Sequence, residues 1–384
     1  MARRHVELCR RLAPDPVTVS TVAADERALG AAFDAGESYA IVRQRFGVRG
    51  AKTIANDARW GRWLARHVAS DRTDVLHCGN VRPAGYAVWW AARRTRVPYV
   101  IYVYGGDLLR ERAKAERSGI KRWTARHLFG ESAGVVAISE WSAALARDIM
   151  REVGVRCPPP VAGIPLGTDP LFFHPTRDTG ELRRRWGVGD APLVLTVARL
   201  VPHKGQDVAL RALAVLVPDF PTLRYAVVGT GEDAPRLRGL ATELGVQDQV
   251  IWAGGLSDEE IAEAYATSTV YLGLSRVDQT INAEGFGIAF VEAAASGVPS
   301  VAGNSGGVAS AVRDGETGIL VEPTDGGAVV DAVRSLLTDA ERRTRMGRAA
   351  RHAVETYYNW DRVAAETRAF VADVVRSRSR GRTA

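Results

Sequence analysis

The stretch AEGFGIAFVEAAASGVPSVAGNSGG, residues 283–307, decides how this chain is read. Two carboxylates, Glu284 and Glu292, flank a Gly-punctuated turn that runs into an apolar helix, and the strand-like run PSVAGN (299–304) follows. Turn, helix and apolar strand in that order make one unit of an α/β fold. Gly285 and Gly287 allow close backbone approach, and Phe286, Gly287 and Ile288 are expected to present N–H groups at the helix start. Those first N–H groups have no partner within the helix, and the helix dipole favours negative charge there, so the turn suits an anion. Carboxylates beside an anion site need something uncharged to hold. A ligand with sugar hydroxyls next to phosphates has both parts.

Working outward, apolar runs alternate with helical patterns along the chain, which predicts parallel sheets in α/β units. In the first half the strand runs are VTVSTV (17–22), DVLHCG (74–79), YVIYVYG (99–105) and GVVAIS (134–139). Helices are expected over 2–13, about 50–69, 84–95, about 117–129 and 140–150. The Pro-rich piece CPPPVAGIPLGTDPLFFHP (157–175) reads as a stiff connection. A second series runs LVLTVA (193–198), YAVVG (225–229), VIWAG (250–254), VYLGLS (270–275), PSVAGN and GILVE (318–322). A last helix is expected over about 357–375, ahead of the basic tail RSRSRGR. The expected domains are therefore 1–174 and 175–356, with 357–384 as a terminal segment. Because the chain opens inside what reads as a helix, the first strand of domain one is expected to be absent.

The 384 residues suffice for two domains of ordinary size. No apolar run approaches the ~20 residues needed to span a membrane, and MARRHVELCRRLAPDP lacks the apolar core of a secretory signal. Cys9, Cys78 and Cys157 are odd in number and far apart, so neither a disulfide framework nor a metal site is expected. A reduced, cytoplasmic location follows. Residues 1–176 carry 27 Lys+Arg against 17 Asp+Glu, or +10; the remainder carries 24 against 27, or −3, which recovers the total of +7. An Arg-rich solvated surface is the plainer reading of that imbalance. The sharper one is an anionic partner for the first half. Nucleic acid is disfavoured, since no binding motif or dense basic run is present. An anionic acceptor or a lipid headgroup surface fits better, with Trp60, Trp63, Trp89, Trp90 and Trp123 close to arginines. Peripheral contact with the inner face of the plasma membrane is thus a further expectation.

VARLVPHKGQDVALRALA (197–214) puts Arg199 and Lys204 on the loop after the second domain's first strand. Open parallel sheets bind ligands beyond the carboxyl ends of their strands, and a planar fork beside a point charge suits a diphosphate. Taken alone, two exposed loop cations would be the plainer reading. VVGTGEDA (227–234) matches G-x-G-x-x-A after a strand, but the acid a nicotinamide site wants at the end of the next strand is replaced by Trp252. Gly229 and Gly231 are therefore read as an ordinary strand-to-helix turn. IWAGGLSDEE could hold a base through Leu256 and Asp258, or Ser257 could simply cap the helix DEEIAEAYA; both readings can hold together. Glu292 sits among Ile288, Ala289, Phe290, Val291, Ala293, Ala294 and Ala295, so this acid needs a partner, for which a ribose diol is reasonable.

Together, VARLVPHKGQD, EGFGIAFVEAAASGVPSVAGNSGG and DGETGILVEP resemble the donor half of retaining family-4 glycosyltransferases with the GT-B fold. Within that family the chain is most similar to the phosphatidylinositol mannosyltransferase-like branch; ISEWSAALARDI and IPLGTDPLFFHP also fit. The resemblance implies two Rossmann-like domains facing a cleft, with a C-terminal helix crossing back to the first. It also implies metal-independent transfer, without a cofactor, from a nucleotide diphosphate sugar to a hydroxyl. By motif, Arg199 and Lys204 would hold the diphosphate, Glu284 the donor sugar and Glu292 the ribose. The amides of Phe286, Gly287 and Ile288 would meet phosphate and sugar oxygens, and Leu256 and Asp258 the base.

In the acceptor half, YVYGGDLL (102–109) has Tyr104 where many relatives carry a histidine, while Asp107 retains the acid. Tyrosine donates a hydrogen bond but is no useful base near neutral pH, so acceptor positioning is expected to differ. GDP-mannose is the first donor expected, because Asp258 could accept from guanine, with UDP-glucose or UDP-N-acetylglucosamine next. The alternatives are a nucleotide-sugar-binding protein without turnover, an epimerase on the same fold and, least favoured, a nicotinamide oxidoreductase.

Overall fold

The computed structural model describes residues 2–12, 15–22, 33–44, 53–277 and 282–383. Their contacts separate two units, Met1–Ile164 with Trp360–Ala384, and Pro165–Asn359. The first unit runs α1 (Ala2–Arg11), β1 (Thr18–Val22), β2 (Ala40–Gln44), α2 (Thr53–Ser70), β3 (Leu76–Cys78), α3 (Ala84–Thr95) and β4 (Tyr99–Val103). It continues with α4 (Gly106–Arg117), α5 (Gly119–Gly130), β5 (Gly134–Ala137), α6 (Glu140–Glu152) and β6 (Val161–Gly163). Its strands are all parallel and form two sheets, β1-β2 and β3-β4-β5-β6. Every residue of β4 and β5 is buried, as expected for strands covered by helices on both faces.

In the second unit the order is α7 (Glu181–Arg185), β7 (Leu193–Val197), α8 (Gln206–Leu216), β8 (Arg224–Val228), α9 (Ala234–Glu243), β9 (Val250–Gly254) and α10 (Asp258–Ala266). Then come β10 (Val270–Gly273), α11 (Ile288–Ala295), β11 (Ser300–Gly303), β12 (Gly318–Val321), α12 (Gly326–Thr338) and α13 (Ala340–Thr356). One parallel six-stranded sheet has the order β12-β11-β10-β7-β8-β9. The strand order reverses between β7 and β10, and in open α/β sheets ligands bind at that point, outside the carboxyl ends of the strands. Leu195, Leu210, Leu223, Leu237, Val270 and Val329 are fully buried around this sheet. The last helix, α14 (Trp360–Thr383), belongs to the first unit. Phe370 packs where a Cβ on Gly134 of β5 would stand 2.9 Å from its ring, and Asp361 pairs with Arg11 of α1 at 2.6 Å.

The segment read as a stiff connection is divided between the units. Val161–Gly163 adds an edge strand beside β5, because the three residues after the prolines still carry the N–H groups that proline lacks. From Pro165 the chain is tied into the second unit: the Thr168 N–H donates to the Tyr358 carbonyl at 2.9 Å, and Arg351 donates to the carbonyls of Pro170 and Phe173. The units therefore part at 164/165 and 359/360, against 174/175 and 356/357 expected. The first residues of the helix expected from about 50 lie outside the described residues, as does the last residue of the helix expected over 2–13.

Candidate active site

Loops after β7, β10 and β11 converge on Glu284. Lys204, in the 3₁₀ turn Pro202–Lys204, donates to Glu284 Oε2 at 2.5 Å, and Ser275, just past β10, donates to the same oxygen at 3.4 Å. The Gly307 N–H, from the loop after β11, donates to the Glu284 carbonyl at 2.7 Å. Arg276 braces the β7 and β10 loops: its N–H donates to the His203 carbonyl and its guanidinium spans both oxygens of Asp207 on α8. Burial raises the Glu284 carboxyl, but the charge and hydrogen bond of Lys204, with Ser275 and His203, outweigh it and hold the group below its ordinary 4.5. Glu284 is thus an anion, and the Lys204 ammonium stands beside it at the switch point. Arg199 lies on the same loop with its side chain exposed.

Phe286 and Gly287 are buried ahead of α11, and Gly287 turns the backbone at φ +90° before the helix begins at Ile288. Glu292, one turn further on, is 8% exposed and accepts from the hydroxyl of fully buried Tyr265 on α10, at 3.1 Å. One partner of the acid within the protein is therefore a tyrosine 27 residues away, to which the apolar company of Glu292 does not point. Tyr265→Phe is expected to lower stability by about 1–2 kcal/mol, because a buried carboxyl loses a donor. Urea unfolding checks this, and an unchanged midpoint would show that the bond carries no net stability.

Ser257 caps α10 as expected. Its side chain accepts from the Glu260 N–H, and the Glu260 side chain accepts from the Ser257 N–H. Leu256 is half-buried beside this cap and Asp258 is exposed at the first helical position, so the capping leaves its carboxylate to solvent. The G-x-G turn also finds its reason. A Cβ on Gly229 would fall 2.0 Å from the Ala198 carbonyl oxygen, and one on Gly231 would fall 2.1 Å from that of Leu200. The Leu200 N–H donates to the Thr230 carbonyl, and the Asp233 N–H to that of Leu200, both at 3.0 Å. These glycines let the β8–α9 turn lie against the loop that carries Arg199.

In the first unit, Tyr104 follows β4 and its hydroxyl lies 2.6 Å from His5 Nε2 on α1. Burial, then the charge of Arg4, pushes His5 down to about 4, so this imidazole is neutral at neutral pH. Asp107 Oδ1 accepts from the N–H groups of Tyr104 and Leu108, at 2.8 and 3.0 Å, which ties the acid into the start of α4; burial raises its carboxyl. Its Oδ2 is buried without a hydrogen-bond partner among the described residues. Arg4 is 2% exposed, with its guanidinium 4.9 Å from the Tyr102 ring centroid. His5 and Arg4 carry no signal in the sequence beyond the run RRHV at the start of an amphipathic helix.

No helix among the described residues is long and apolar enough to cross a membrane. The model of Glycosyltransferase Family 4 matches residues 1–170, and that of Glycosyl transferases group 1 matches residues 178–353. The chain is 40% identical over 199 residues to a GDP-mannose-dependent alpha-(1-6)-phosphatidylinositol monomannoside mannosyltransferase of Mycolicibacterium smegmatis, covering 51% of this chain and 52% of that one. It thus spans about half the length of that relative. A D-inositol 3-phosphate glycosyltransferase of Stackebrandtia nassauensis is 32% identical over 321 residues, covering 80% and 69% of the two chains. Among solved structures, a glycosyltransferase from Rickettsia africae superposes with a TM-score of 0.76 at 18% identity, covering 97% and 94%. Anabaena HepE bound to UDP and glucose gives 0.75 at 18% identity, covering 96% and 95%, so the two-unit architecture is that of GT-B proteins. Matched along both halves in order, the chain belongs to glycosyltransferase family 4.

Proposed function

We propose that this chain moves a hexose from a nucleotide diphosphate sugar to a hydroxyl acceptor, with retention at the anomeric carbon. The observation that carries this reading is the Lys204–Glu284 pair at the ends of β7 and β10, where a cation and a carboxylate stand side by side. Breaking the anomeric C–O bond builds negative charge on the departing phosphate and positive charge on the sugar ring. Lys204, Arg199 and the N–H groups at the start of α11 face the first of these charges, and preplaced groups of this kind are commonly a large catalytic contribution. Glu284 holds a sugar hydroxyl, and Glu292 the ribose. Leu256 and Asp258 receive the base. The acceptor oxygen forms the new bond to the anomeric carbon, and its proton leaves with the nucleoside diphosphate. Tyr104, with neutral His5 behind it, and Asp107 position that acceptor hydroxyl.

The relatives' names supply the order of trial: GDP-mannose first and UDP-hexoses next, with acceptors that carry an inositol ring. Nucleoside diphosphate release is measured with each donor and acceptor, and the product's anomeric configuration is read from its one-bond carbon–proton coupling. Acceptor-dependent release with an axial product, undiminished by a chelator, is the expected result. Donor binding with no release for any acceptor would replace the reading with a binding protein, and an inverted product would remove retention.

A further inference from the structure

Gln206 opens α8 directly behind Gly205, and the contacts assigned to the donor leave it without a role. It is only 2% exposed. Its side-chain amide donates to the Arg199 carbonyl at 3.1 Å, reaching back seven residues across the loop that carries both cations. The same carbonyl accepts from the Val201 N–H at 3.1 Å, so both of its lone pairs are taken. The β8–α9 turn holds the neighbouring residues. The Ala198 N–H donates to the Val228 carbonyl and the Leu200 N–H to that of Thr230, both at 3.0 Å. The backbone at Arg199 is therefore pinned from two elements, while the Arg199 side chain is exposed.

The other end of the amide is less well served. Gln206 Oε1 is buried with no hydrogen-bond partner among the described residues. Turning the amide over would set its oxygen against the Arg199 carbonyl oxygen and bury the NH2 group unpaired instead. A buried acceptor without a donor costs stability, and an unbranched apolar side chain such as methionine would fill the space without that cost. Packing alone thus gives no reason for a glutamine here, whereas the bond to Arg199 does.

We propose that Gln206 is a positioning residue for the transfer reaction, fixing the backbone from which the Arg199 guanidinium reaches the donor's diphosphate. This rests on the reading of Arg199 as a diphosphate-binding cation, and supplies the cause of its placement. The arginine fork gives two aligned hydrogen bonds to phosphate only when its planar head arrives in the right orientation, and a long side chain on a loose root would not hold it there. Asp207, next along α8, does the corresponding work for the loop after β10 by taking the Arg276 guanidinium on both oxygens. The first turn of α8 thus ties down both loops.

Calorimetric titration of GDP and of UDP into the full chain tests the proposal without acceptor or sugar transfer. Gln206→Met, Arg199→Ala and the double variant are compared with the parent. For whichever nucleotide the parent binds, Arg199→Ala should raise Kd about tenfold or more, because charge-assisted bonds to phosphate are lost. Gln206→Met should raise it about three- to tenfold. The double variant should bind no more weakly than Arg199→Ala alone, since both changes act on one contact. The melting temperature of Gln206→Met should stay within about 3 °C of the parent's, the lost hydrogen bond being offset by removal of an unpartnered buried oxygen. A residue that served the fold alone would give a larger drop, and a change in Kd that multiplies with that of Arg199→Ala. Either result, or an unchanged Kd in Gln206→Met while Arg199→Ala binds weakly, overturns the proposal and leaves the role of Arg199 standing. A parent that binds neither nucleotide, or an Arg199→Ala variant that binds as the parent does, removes the role of Arg199 itself, and the positioning role of Gln206 falls with it.

Discussion

Lys204→Ala is expected to lower kcat by about two to three orders of magnitude, the usual loss when one preplaced group that meets developing charge is removed. Lys204 is the cation that the fold brings to the switch point, bonded at 2.5 Å to Glu284. Its loss also removes the charge that opposes the burial of Glu284, so that carboxyl should rise from its depressed position. The sign of the pH effect follows. With its pKa held below 4.5 in the folded chain, Glu284 contributes stability at higher pH that is lost as pH falls through the depressed value. In Lys204→Ala the acid limb of the stability profile should therefore move to higher pH. Lys204→Arg keeps the charge and should retain more of both properties. Steady-state kinetics with a saturating donor, together with acid unfolding, are the measurements. A rise in donor KM with kcat unchanged would confine Lys204 to ground-state binding.

Gly205→Ala should cost about 2–4 kcal/mol of stability, and activity with it. Gly205 follows Lys204 directly, at φ +75°, a conformation that L side chains rarely adopt. A Cβ there would lie 2.1 Å from the Leu274 carbonyl oxygen, which is backbone and cannot swing aside. Relief requires the β7 and β10 loops to part, and those loops carry the two halves of the Lys204–Glu284 pair. Urea unfolding reads the stability and the donor assay reads the activity. A variant as stable as its parent would show that the loops tolerate separation, and would weaken the view that their contact builds the site.

Much of the second unit was legible before the structure because parallel strands covered on both faces read as unbroken apolar runs. LVLTV, YAVV and VYLG needed no tertiary information to be recognised as strands. β2 and β6 did not show themselves. AIVRQ is a lone five-residue run, and VAG is a three-residue edge strand behind three prolines, too short for any periodicity to register. α4, with the sequence GDLLRERAKAER, is also not legible, because it opens on the second of two glycines and carries mostly charged residues. The α10 cap was legible since it is local: Ser257 and Glu260 satisfy each other within one turn.

The sequence by itself determined most of the segments that become strands and helices, and which residue types stand at their ends: Arg199 and Lys204 after one strand, Glu284 and Gly287 before one helix, Ser257 at another. These follow from spacing over a few residues. Only the tertiary structure decided which ends meet. Lys204 and Glu284 are 80 residues apart, and they touch because β7 and β10 lie side by side in the sheet. Tyr265 reaches Glu292 where α10 packs against α11, and His5 on α1 reaches Tyr104 across 99 residues. Strand neighbours are chosen by the packing of the whole unit, and no local pattern of side chains encodes that choice.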